Sequence, residues 1–160
     1  MEGALLTALA WTMALCAGLM AGTYAAFSSF IMRSLATLDT ARAIAAMNAI
    51  NAVILKSTFM PLFFGSTLVA LLMVIVGLWK WGEPGAGSAI AGGVTYVVGM
   101  FVVTAAVNVP LNNALAKVSG GGEEAAWTWA DYLERWTRWN TLRTIASLVT
   151  LVICIEALSR

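Results

Sequence analysis

The chain has 160 residues, of which 61% are hydrophobic and only 11% charged, with a net charge of +1 and a mean hydropathy of +0.86. An ordinary soluble domain is roughly one quarter charged, so this composition excludes a water-soluble globule and assigns the chain to a lipid bilayer. The near-balanced charge excludes a nucleic-acid partner, which needs a concentrated basic surface, and the absence of histidine removes the commonest metal ligand and the commonest general base together.

Crossing about 30 Å of hydrocarbon takes about 20 mostly apolar residues. Four stretches meet that requirement: 5–32, 60–79, 89–109 and 142–158. The first lacks a basic leader, opening with Glu2, and exceeds the ~7–15-residue apolar core of a signal peptide; it reads as a retained helix. The whole of 1–160 reads as a single membrane domain, because four spans leave little chain for a separate unit.

After the first span, "DTARAIAAMNAINAVILKS" (39–57) contains neither Gly nor Pro and is rich in helix formers. Asp39 or Thr40 caps its start. Pro61 deprives the Ser57 carbonyl of its helical donor, so the helix kinks or restarts before span two. These residues predict an interfacial helical elbow. Span three ends in "NVPLNNAL" (108–115), where Pro110 leaves the Ala106 carbonyl free for a nearby carboxamide. Asn113 reads as part of an ordinary helix end, whereas Asn108 and Asn112, at i and i+4, share one face.

Gly120 to Gly122 break the chain, and Glu123 and Glu124 suit a new helix N-terminus. From there to Leu158 nothing interrupts a helix, so span four carries an amphipathic forehelix. Asp131 with Arg135 and Glu134 with Arg138 fit i, i+4 pairs on its solvated side. The opposite stripe reads Trp129, Leu133, Trp136, Asn140 and Arg143. Trp at a membrane interface and a snorkelling Arg are the structural alternative for that stripe.

Basic residues near span ends stay on the cytoplasmic side. Arg33, Arg42, Lys56, Lys117, Arg135, Arg138 and Arg143 fall in or beside the two longer connections, against Lys80 and Arg160 elsewhere. Both termini are therefore expected outside, in a bacterial cytoplasmic membrane. The fold expected is all-α: an antiparallel integral membrane four-helix bundle with the elbow before span two and the forehelix before span four.

Such a bundle brings Ser28, Ser29 and Arg33, Asn48, Asn51 and Lys56, Asn108 and Asn112, and Asn140 and Arg143 to one end. The opposite halves read as an apolar plug. Polar groups at membrane depth are costly and face the bundle interior, so the polar end is the candidate pocket. Cys16 and Cys154 read as small buried hydrophobes rather than a disulfide, and the Gly18–Gly22 GxxxG pattern as a helix-packing surface within the chain or between copies in a homo-oligomer.

"MNAIN" (47–51), "NVPLNNAL" (108–115) and "WTRWNTLR" (136–143), with the four-span layout, resemble the anthrone oxygenase-like family of small membrane proteins. Arg33, in "FIMRSL", stands where that resemblance leads one to expect proline. The resemblance implies a membrane-embedded protein, some relatives of which oxidise polyketide anthrones to anthraquinones with molecular oxygen. A cofactor-free oxygenation is physically open to such a protein, and on that hypothesis Arg143, Asn108, Asn140 and Lys56 are catalytic: Arg143 and Lys56 stabilise an enolate, Lys56 acts as base if desolvated, and the asparagines donate hydrogen bonds. Asn48, Asn51, Asn112, Trp136 and Trp139 would bind the flat substrate. No cofactor and no metal is required, since an enolate can itself pass an electron to oxygen; the partners are the lipid bilayer and a small hydrophobic molecule.

The rival readings are a non-catalytic binder of a lipid, quinone or similar hydrophobe, a haem or metal redox protein using Met and Cys ligands, and a transporter. The absence of His and of a Cys cluster counts against the redox protein. The transporter lacks a mid-membrane carboxylate, Glu156 lying near the outer end of span four.

Overall fold

The computed structural model describes residues 2–118 and 122–159, all helices and short connections. Span one is α1 (Glu2–Ala26), a π-helical turn π1 (Phe27–Ile31) and α2 (Met32–Leu35). The elbow is α3 (Thr40–Ile54), and span two is α4 (Phe59–Trp79). Span three runs through α5 (Ala86–Tyr96), π2 (Val97–Val102), π3 (Thr104–Asn108) and α6 (Val109–Leu115). Span four is α7 (Glu123–Ser159). Four helices are thus long and apolar enough to cross a membrane.

Capping chemistry sets the boundaries. The Asp39 carboxylate accepts from the Arg42 N–H at 3.0 Å and starts α3. Before α4, the Ser57 carbonyl accepts from the Met60 N–H and its hydroxyl from the Phe59 N–H, both at 3.2 Å. The carbonyl that Pro61 cannot serve is satisfied in this way, and the helix restarts with proline in its first turn. Between α4 and α5, Gly82 and Gly85 take φ of +95° and +86°, where a Cβ would be strained. Gly120 and Gly121, expected to break the chain before α7, lie outside the described residues, and Gly122 has φ +132°.

The spans form a ring in which each packs on its neighbours in sequence and span four closes on span one. Glycines permit the closest approaches. A Cβ on Gly93 would meet the Ala70 carbonyl and Val74, one on Gly77 would meet Ala86 and Ile90, and one on Gly99 would meet Ala146. The Gly18–Gly22 pattern does not serve this purpose: a Cβ on Gly22 would meet nothing within 4 Å. Both cysteines are free.

Two cores result. One fills the middle of the bundle with Met13, Met20, Met73, Met100, Phe63 and Tyr96. The other joins α3 to the forehelix through Met47, Leu111, Leu115, Trp129, Tyr132 and Trp136. Large side chains such as Trp11, Leu15, Leu68, Ile75 and Val152 remain exposed, as suits helices whose solvent is lipid. At 37 residues α7 is about 55 Å long by its rise of 1.5 Å per residue. It exceeds the ~30 Å hydrocarbon layer, and the excess is the forehelix.

The buried stripe on α7 differs from the sequence expectation by one residue. Trp129, Tyr132, Trp136, Asn140 and Arg143 are buried, while Leu133 is only half-buried. Two other expectations are also corrected. Asp131 pairs with Arg135 at 3.1 Å, but Glu134 and Arg138 are not among the ion pairs of the described residues. The end opposite the polar pocket is no solid plug, because Thr7, Ala10, Ser88, Cys154 and Leu158 help line a cavity of about 360 Å³ there.

Candidate functional site

The three π turns among the described residues lie in spans one and three, and two of them border the polar end of the bundle. Each admits a wider step of the backbone: the Met32 N–H bonds to the Phe27 carbonyl, and the Val109 N–H to that of Thr104. Such turns recur at functional sites because they displace side chains from the regular helical register. Here Phe27, Thr104, Ala105 and Asn108 come to line a cavity of about 280 Å³, close to the ~300 Å³ lower bound of small-molecule pockets.

Arg143 is the charged residue of this cavity and is only 5% exposed. Its guanidinium sits 4.3 Å from the Tyr24 ring centre and 5.3 Å from that of Trp136. A desolvated cation over aromatic faces gains about 2 kcal/mol or more. One terminal nitrogen donates to Thr104 Oγ1 at 3.1 Å, the other to Asn140 Oδ1 at 2.8 Å. Asn140 is anchored in turn, donating through Nδ2 to the Tyr24 carbonyl and to Ser28 Oγ, both at 2.7 Å. Arg143 is thereby fixed, yet no Asp or Glu lines the cavity among the described residues.

The other expected site residues divide. Asn108, Asn112, Asn51 and Trp136 line the cavity. Asn108 donates across to the Trp136 carbonyl at 3.3 Å rather than bonding the carbonyl freed by Pro110, and its Oδ1 is buried without a partner. Asn112 Oδ1 accepts from both Tyr132 at 2.8 Å and Trp136 Nε1 at 2.9 Å, so its oxygen is committed to holding those rings. Asn51 Nδ2 and Arg143 Nε are buried and without hydrogen bonds.

Asn140 does not line the cavity; its amide is spent on Arg143, Tyr24 and Ser28. Asn48 and Trp139 are half-buried and also lie off the lining. Lys56 is exposed in the turn after α3, outside the lining, so the desolvation that a lysine base requires is absent. Asn113 is exposed.

Sequence reading missed Tyr24, Thr104 and Tyr132, and the aromatic wall of Phe27, Phe59, Phe63 and Phe101. Tyr132 had a signal: steps of three and four from Trp129 through Tyr132, Trp136 and Asn140 continue to Ser147, Thr150 and Cys154, all buried. Tyr24 and Thr104 had none, because one hydroxyl in an apolar helix does not reveal which face meets a cavity.

The anthrone oxygenase family model matches residues 52–153, well over half of the chain. The chain belongs to the anthrone oxygenase family. The matched segment contains Thr104, Asn108, Asn112, Tyr132, Trp136, Asn140 and Arg143, and leaves out Tyr24 and "MNAIN". No curated protein and no solved structure matches the chain. Within this anthrone oxygenase family chain, then, the arginine and its immediate supports on spans three and four fall inside the family segment, while Tyr24 and Ser28 come from outside it.

Proposed function

We propose that the chain is a membrane-embedded oxygenase acting on a flat phenolic or anthrone-type substrate with molecular oxygen, without a bound cofactor. The observation that carries this reading is a fixed, buried guanidinium facing an aromatic cavity with no carboxylate on its lining. Burying an unpaired cation costs several kcal/mol, and a bound anion offsets that cost. An anthrone enolate is such an anion. Arg143 Nε and Asn51 Nδ2 remain as donors for its oxygen, and Asn108 Oδ1 as acceptor for a phenolic hydroxyl.

In the proposed reaction, the ring carbon opposite the carbonyl gives up a proton to base at the membrane surface, and Arg143 holds the resulting enolate. The enolate passes one electron to oxygen. The carbon radical and superoxide combine and take up a proton to form a hydroperoxide. Loss of water then leaves a second carbonyl. One oxygen atom enters the product and the other leaves as water, which balances the loss of two hydrogens from the substrate. The chain's contribution is charge stabilisation in a dry site, worth about 10²–10³ in rate for a single well-placed donor.

The Lys and Arg distribution supports an orientation with the cavity toward the cytoplasmic leaflet. The reading is tested by oxygen uptake with an anthrone, above its spontaneous oxidation, by protein reconstituted in phospholipid nanodiscs. An absorption spectrum and metal analysis of the freshly extracted protein accompany it; a stoichiometric haem, flavin or metal overturns the cofactor-free reaction. A second reading, a non-catalytic carrier of a hydrophobe, is favoured by the absence of a carboxylate, lysine or imidazole base from the cavity wall. Tight binding of the anthrone with no oxygen uptake above the spontaneous rate would establish that reading instead.

A further inference from the structure

The cavity around Arg143 opens on the flank of the bundle rather than at its end. Leu55, Phe64 and Val109 line it, yet they are 64, 56 and 43% exposed. They belong to the turn after α3, to α4 and to the start of α6, so they frame an opening between spans two and three. The packing explains the gap. α4 lies along α5 and touches π2, but has no comparable packing on π3 or α6.

The end of the bundle, by contrast, is sealed. Met47, Leu111, Leu115, Trp129, Tyr132 and Trp136 pack together beneath the cavity. An exposed apolar mouth on a water-facing surface would be an aggregation liability. Facing lipid it carries no such penalty, because lipid tails are as apolar as the side chains.

A continuous run of rings leads inward from that mouth. Phe64 meets Phe63 edge-on at 5.2 Å, Phe63 stacks with Phe59 at 5.9 Å, and Phe59 meets Tyr24 edge-on at 6.3 Å. The Tyr24 ring in turn lies under the Arg143 guanidinium. Every member of the run lines the cavity.

We infer that the site is loaded sideways from the bilayer: a flat hydrophobic molecule dissolved in the membrane enters between spans two and three and passes along these rings to Arg143. Its product returns by the same mouth. The inference rests on the proposed binding of a flat aromatic at this cavity, and it adds a route, a solvent phase for the substrate, and a selectivity filter formed by Leu55, Phe64 and Val109.

The test is stopped-flow binding of anthraquinone to protein in phosphatidylcholine nanodiscs, followed by quenching of tryptophan fluorescence, and it needs no turnover. Val109→Trp narrows the mouth from an exposed position and is expected to slow association and dissociation at least tenfold, with Kd changed less than threefold. Phe64→Ala widens the mouth and is expected to accelerate both rates. Val98→Trp, at a lipid-exposed position of span three that is not part of the cavity lining, is expected to leave them unchanged. Rates indifferent to Val109→Trp and Phe64→Ala, with binding intact, overturn the lateral route and leave the binding reading standing. Failure of the wild-type protein to bind anthraquinone overturns both.

Discussion

The packed middle of this bundle and the end that holds Arg143 treat the same problem, polar groups in an apolar medium, in opposite ways. In the middle several are paired: Tyr96 donates to Ser66 at 2.8 Å, Ser66 to the Phe63 carbonyl at 3.0 Å, and Thr150 to the Gly92 carbonyl at 3.2 Å, with Ser147 Oγ the buried exception. Glycines let spans two, three and four approach closely nearby. At the Arg143 end the helices step through π turns around a cavity, and Asn51, Asn108 and Arg143 keep buried atoms without partners. Satisfied pairs stabilise a fold, whereas unsatisfied groups beside a cavity are capacity held for a ligand. Substitutions in the packed middle should therefore move stability, and those at the Arg143 end should move turnover.

Arg143→Gln provides the sharpest break. It is expected to lower anthrone-dependent oxygen uptake about 100-fold or more, as loss of a preorganised oxyanion donor does. Circular dichroism should show the folded helices retained, since the replacement removes a buried charge rather than a packed core. Uptake within threefold of wild type would sink the assignment of Arg143.

Asn140→Ala comes next. Its amide touches the guanidinium and not the cavity, so it acts as a positioning residue. Turnover should fall about tenfold, equivalent to about 1.4 kcal/mol of barrier, with KM little changed because the aromatic walls that bind the substrate remain. A rise in KM alone would contradict the positioning role.

Gly93→Ala tests the close-packed region. Its Cβ would press on the Ala70 carbonyl and Val74, an overpacking that costs about 1–3 kcal/mol. Thermal unfolding in detergent should shift downward while oxygen uptake per folded molecule stays the same. Lost uptake without lost stability would dissolve the distinction between the two regions.

The smallest effect belongs to Tyr96→Phe, which removes the hydroxyl that donates to Ser66 while Ser66 keeps its bond to Phe63. The expected cost is about 1 kcal/mol of stability, read in the same unfolding assay, with no change in turnover.

Much of this organisation was legible in the residues. The four spans, the elbow capped by Asp39 and the forehelix follow from hydropathy and local capping chemistry, which depend on near neighbours in the chain. The convergence of Asn51, Asn108, Asn112 and Arg143 followed from antiparallel packing of helices of known length. Lys56, Asn48, Trp139 and Asn140 were harder to place. Each lies within a few residues of a lining position, but a helix turns 100° per residue, so small uncertainties in rotation decide which side chains face inward.

Composition and periodicity alone specify a four-helix membrane protein with its polar groups at one end, because the bilayer demands apolar length and penalises stray polarity. They do not specify the π turns, the pairing of Asn140 with Arg143 across to Tyr24 and Ser28, or the lateral mouth. Those depend on how far spans two and three diverge and on the rotation of each helix about its axis. Such quantities are set by contacts between residues as distant as Tyr24 and Asn140, 116 positions apart, and they exist only once the bundle has closed.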